Sequence, residues 1–156
     1  MADDGLSIRE RLEWYWVTGA TREQIGTAIR VLGPKRGGRT YAAHTDWVID
    51  WSPKKVSVDV VMTLPRWLAA TYPGELKSTW DAYVEGLLDH ERGHREIAVR
   101  AAHAIRDVEG RSDLHASADA MVEIERILEQ ARVEEREYDE LTRHGEIDPR
   151  IGGSAT

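Results

Sequence analysis

Apolar and polar residues follow two different periods along the chain, and the change falls between Trp67 and Glu75. The first half reads as mixed strand and helix. Glu13 to Val17 (Glu-Trp-Tyr-Trp-Val) is aromatic and β-branched, which predicts a strand. Thr21 and Gln24 stand at the spacing of a capping box, and Ile25, Ile29 and Leu32 follow at helical spacing until Gly33-Pro34 stops them. Beyond the Gly37-Gly38 turn, Tyr41, Ala43, Thr45, Trp47, Ile49 and Trp51 alternate with His44, Asp46 and Asp50. After a second turn at Ser52-Pro53-Lys54-Lys55, Val56, Val58, Val60, Met62 and Leu64 alternate in the same way, and Pro65 closes the run. A period of two marks a strand with one buried face, and the two runs predict a long hairpin.

The second half reads as helix. Ser78 and Asp81 signal a helix start after Tyr72-Pro73-Gly74. Trp80, Tyr83, Leu87, His90, His94, Ile97, Ala101, Ala104 and Val108 then form one stripe at spacings of three and four, and Gly110 ends it. A second helix is predicted from about His115 to Leu141, carrying Met121, Ile124, Ile127, Leu128, Ala131 and Tyr138. The expected architecture is α+β: an N-terminal strand and helix and an antiparallel β-hairpin packed on two long C-terminal helices. Residues 13–146 are expected to form a single domain, with a flexible N-terminus over 1–12 and a disordered tail over 147–156, where Gly152-Gly153-Ser154-Ala155-Thr156 is small and polar.

Composition narrows the classes of function. A chain of 156 residues with 41% hydrophobic content folds as one globular domain. A net charge of −7 with scattered basic residues opposes nucleic-acid binding, which needs clustered Lys and Arg. The chain has no cysteine, so disulfides and thiolate metal sites are excluded, and a transition metal must be held by His and carboxylates. No stretch is apolar for long enough to span a membrane, so no membrane partner is expected. Met1 to Arg11 is charged and lacks an apolar signal core. The expected compartment is therefore the cytoplasm, or a secreted or periplasmic one where a leader has been removed. Oligomeric state is not legible, since no helical face carries an obvious surplus stripe.

The chemistry concentrates in His90-Glu91-Arg92-Gly93-His94. Residues four apart on a helix face the same way, so His90 and His94 can grip one ion. Glu91 beside them can reach water at that ion, the arrangement of zinc hydrolases with two His ligands and a Glu general base. Gly93 costs about 1 kcal/mol relative to Ala in a helix interior. A substrate or a neighbouring backbone passing close would explain its lack of a side chain.

A catalytic zinc usually has three protein ligands and one open position. Ile97 and Arg100 stand where the longer form of this motif carries Gly and a third His, so the third ligand lies farther along. His144, Asp139, Glu135, Glu134, His103 and His115 are the candidates. An antiparallel helical hairpin turning near Ser112 favours Glu134 or Glu135. Imidazole suits zinc, which keeps His144 open, although His144-Gly145 also reads as a plain helix cap. His103 is nine residues beyond His94 on the same helix, too far to share the ion. His115 reads as an exposed loop residue, and His44 as solvated surface on the polar face of its strand.

These segments resemble a bacterial family of unknown function described as predicted secreted zinc-dependent proteases. The likeness runs from about Trp14 to Gly145. It includes Gly33-Pro34, Trp47-Val48-Ile49-Asp50-Trp51, Leu64-Pro65-Arg66-Trp67 and Trp80, and it is most specific at His90-Glu91-Arg92-Gly93-His94 and at Tyr138-Asp139 with Thr142 and His144-Gly145. The resemblance implies a zincin-like metallopeptidase with one zinc ion per chain. It implies His90 and His94 as ligands, Glu91 as the base and His144 as the third ligand. Asp139 or Tyr138 would support the ligands or the transition state, with the Tyr138 hydroxyl donating to the oxyanion. A peptide or protein is the expected substrate, held as an added strand on an edge of the hairpin. The alternatives are a zinc amidase acting on a non-protein amide and a non-catalytic, zinc-containing helical interaction module.

Overall fold

The computed structural model describes residues 5–111 and 118–142. In chain order its elements are β1 (Leu6–Thr18), α1 (Arg22–Leu32), β2 (Lys35–Arg36), β3 (Arg39–Thr40), β4 (His44–Ser52), β5 (Lys55–Leu68), α2 (Gly74–Glu109) and α3 (Ala118–Leu141). The fold is α+β, as the two periods of the sequence require.

β5 is the centre of a three-stranded sheet ordered β1-β5-β4. β4 and β5 form the predicted antiparallel hairpin, closing at Ser52 opposite Lys55. β2 and β3 form a separate small hairpin around Gly37 and Gly38, whose φ angles of 56° and 78° suit a two-residue turn that only glycine adopts cheaply. One face of the sheet is apolar. Val56, Val58, Val60, Met62 and Leu64 are all essentially fully buried there, against Ile97, Ala98, Ala102 and Ile105 of α2. α3 packs chiefly on α2, with Ala120, Ile124 and Ala131 turned inward. Among the described residues no helix is long and apolar enough to cross a membrane.

The boundaries depart from the sequence expectation in four places. β1 begins at Leu6, so the flexible stretch expected over 1–12 gives way to strand from residue 6 onward. Arg9, Glu10 and Arg11 interrupt the apolar signal, yet Leu6, Ile8, Leu12 and Trp14 keep the period of two and pair in parallel with Val56, Val58, Met62 and Leu64. β4 starts at His44, three residues after Tyr41. β5 continues through Pro65 to Leu68, because β4 reaches only to Thr63 and the missing amide of Pro65 meets no partner strand on that side. α2 starts at Gly74, a turn before Ser78, and Ser78 caps nothing: its Oγ donates to the Gly74 carbonyl at 3.0 Å. The tail over 147–156, His115 and His144 lie outside the described residues.

Candidate metal centre

The long helix α2 runs under the sheet with its His-Glu-x-x-His segment below the start of β4. Helical spacing turns His90 and His94 to the same side, toward α3, with ring centroids 5.1 Å apart. Both side chains are only 9% exposed. α3 supplies what meets them. Asp139 Oδ1 lies 2.7 Å from His94 Nε2 and 3.2 Å from His90 Nε2. The candidate ligand atoms of His90, His94 and Asp139 all fall within 4.8 Å of one another, so these side chains could hold a metal ion. Of the six candidates, Asp139 is the one among the described residues that meets both imidazoles, and His115 and His144 lie outside those residues. Glu135, one turn earlier on α3, reaches the other nitrogen of His94, Nδ1, at 3.4 Å.

The donor set passes a chemical test for a divalent metal. Two imidazoles and a carboxylate, without thiolate, suit zinc or iron. The ring of His94 is held from behind by a carboxylate, the usual support of a metal-binding imidazole. Glu135 is itself fixed, accepting a hydrogen bond from Trp47 Nε1 on β4 at 2.6 Å. Glu134 points elsewhere, to Arg100 at 3.0 Å, and His103 is exposed on α2 away from the cluster.

Glu91, between the two histidines in sequence, reaches up to the sheet beside the cluster. It is 3% exposed, and its carboxylate accepts a 2.6 Å hydrogen bond from Thr45 Oγ1. Burial pushes the Glu91 carboxyl above its usual range, against the opposing effects of the Thr45 hydrogen bond and of the nearby imidazoles. Burial is also the largest influence on His94 and disfavours its charge. The hydrogen bonds to Asp139 and Glu135 outweigh it, and the imidazole is raised to about 9. Asp139 is the mirror case: burial opposes its ionisation, but His90 and His94 hold its carboxyl well below the usual range.

Tyr138 explains Gly93. The phenol ring stacks on His90 at 4.9 Å and meets His94 edge-on at 5.0 Å. A Cβ on Gly93 would collide with its hydroxyl and ring. A tyrosine side chain, rather than a substrate or a backbone, therefore occupies the space that glycine leaves. The Tyr138 hydroxyl, expected to donate to an oxyanion, donates to the His90 carbonyl at 2.9 Å and so ties α3 to α2.

A cleft of about 340 Å³ opens beside the cluster, between the edge strand β4 and α3. His44, Thr45 and Trp47 line one wall, and Arg132, Glu135 and Asp139 the other. His44 was expected on solvated surface, but its side chain is 28% exposed and burial lowers its pKa. Thr45 is expected from the sequence only as part of the inward face of its strand, not as a site residue. Its signal was a hydroxyl on the apolar side of an alternating strand, where a buried polar atom demands a partner.

The fold and this site define an α+β domain with a histidine-histidine-carboxylate cluster at the contact of two long helices. Residues 12–145 match the family described as bacterial protein of unknown function, DUF922, and the chain belongs to that family. No curated protein and no solved structure matches the chain.

Proposed function

We propose that the chain is a zincin-like zinc metallopeptidase in which His90, His94 and Asp139 hold the ion and Glu91 is the general base. The observation that carries this reading is the convergence of the three ligand atoms within 4.8 Å on residues from two helices, with a buried Glu one position from a ligand. A zinc ion bound there supplies a Lewis acid that brings the pKa of water to about 7.

The chain's own groups do the rest. Thr45 Oγ1 fixes one oxygen of Glu91 and leaves the other to accept a proton from water. The raised pKa of Glu91 makes its carboxyl a better base than a solvated glutamate and lets it return that proton to a leaving amine. Glu135 holds His94 by Nδ1 so that Nε2 faces the ligand cluster. The open edge of β4 borders the same cleft, and an extended peptide added there as a further strand would lie along Thr45 and Trp47.

The test begins with metal content by mass spectrometry of wild type, His94→Ala and Asp139→Ala, purified without chelator. About one zinc per wild-type chain, lost in both variants, supports the site; no metal in wild type and no uptake on adding zinc sinks the reading. Iron in place of zinc would turn it toward oxygen chemistry. Peptide hydrolysis that falls about 100-fold or more in Glu91→Gln supports the peptidase. Full zinc with no hydrolysis of any peptide leaves a zinc amidase or a structural zinc module.

A further inference from the structure

The edge of the sheet opposite the proposed active site has no use in that chemistry. β1 is a 13-residue strand with β5 on one side and, among the described residues, no strand on the other. Free edges are normally kept short, bulged, covered, charged or interrupted by proline, because their unpaired amides template further pairing. β1 is 13 residues long and has no proline, and its charges Arg9, Glu10 and Arg11 are paired within the chain, with Asp59, Arg95 and Glu13. The parallel ladder begins with the Val56 amide donating to the Gly5 carbonyl, so odd-numbered residues of β1 turn their peptide groups toward β5. Ile8, Glu10, Leu12, Trp14 and Trp16 therefore turn theirs to the open side. Of these side chains, Ile8, Leu12, Trp14 and Trp16 are large, apolar and 39–52% exposed.

We propose that this edge pairs with the same edge of a second copy of the chain, antiparallel about a two-fold axis through Leu12, to make one continuous six-stranded sheet. The sequence of the strand selects that occupant and that register. A two-fold axis normal to the sheet must pass through one residue, which then faces itself. Arg9, Glu10, Arg11 or Glu13 on the axis would set like charges opposite each other, a destabilising pair. Leu12 is the middle residue of Leu6–Thr18, so an axis there also leaves the fewest residues unpaired. It brings Arg11 opposite Glu13 twice and Ile8 opposite Trp16 twice. The charged pairs lie on the solvent face, where Arg11 and Glu13 are 67% and 50% exposed, and the apolar pairs lie on the face that carries the core. The β4 edge, on the far side of β5, stays open in both copies.

Sedimentation velocity of the full chain from low to high micromolar concentration reads the association, with far-UV circular dichroism as the check on folding. The expected result is a concentration-dependent shift from one chain mass to two. Leu12→Lys, which sets two ammonium groups on the axis, should abolish the shift with an unchanged spectrum. Arg11→Glu should weaken association about tenfold or more, and the Arg11→Glu, Glu13→Arg double exchange should restore it. Wild type at one chain mass throughout overturns the proposal, as does a dimer indifferent to Leu12→Lys. Failure of the double exchange to restore a dimer lost in Arg11→Glu overturns the register.

Discussion

At the scale of single residues, Glu91 and Glu135 separate what the site needs from what the fold needs. Glu91 is a buried carboxyl whose pKa is raised, which means that its charged form is disfavoured in the folded chain. Glu91→Gln keeps an acceptor for Thr45 and removes that cost. The variant is expected to melt at or above the wild-type temperature in calorimetry while hydrolysis is lost, and clear destabilisation would count against the buried-base assignment. Glu135 touches His94 at the nitrogen that faces away from Asp139. Glu135→Ala should therefore lower zinc affinity by about 10- to 100-fold in competition with a chelating dye, with one zinc still bound at saturation. Loss of the site altogether would make Glu135 a ligand, as the helical-hairpin argument from sequence suggested.

At the scale of elements, the contact of α2 with α3 is set by Gly93 and Tyr138. Gly93→Ala gains about 1 kcal/mol of helix propensity but forces the phenol ring aside, an overpacking cost of about 1–3 kcal/mol. It should destabilise the wild type in denaturant unfolding and stabilise a Tyr138→Ala background, a coupling that a double-mutant cycle measures. Additive effects would mean that the ring does not fill the glycine's space. The elements themselves were largely legible. Period two gave the β4–β5 hairpin, and period 3.6 gave both long helices and put His90 and His94 on one stripe. Three things were not legible because each depends on a distant partner. β1 before Glu13 needs β5 to reveal its register, and Thr45 needs Glu91 to reveal its purpose. The choice of Asp139 over Glu134 or Glu135 needs the rotation of α3 about its axis, which spacing alone leaves free.

At the scale of the whole molecule, the His94–Asp139 pair couples stability to pH. His94 is raised from its ordinary 6.5 to about 9, so its contribution to chelated protein is complete below pH 6.5 and is lost as pH rises through 9. Asp139 is depressed, so its contribution is present above its ordinary range and fades only in strong acid. The melting temperature of chelated protein should fall between pH 6.5 and 9, and an unchanged or rising value there would count against the pair. A metal ion bound through His94 would reverse the slope, since a proton must leave the imidazole before the ion can bind. The pairing of residues 45 positions apart has one more consequence. This chain has no cysteine, and α3 rests chiefly on α2. An ion shared by His94 and Asp139 would be a removable staple, closing a loop whose entropy a permanent cross-link would suppress by about 4 kcal/mol. α3 would then be held more firmly while metal is in supply, and starvation for the ion would open it more often to proteolysis.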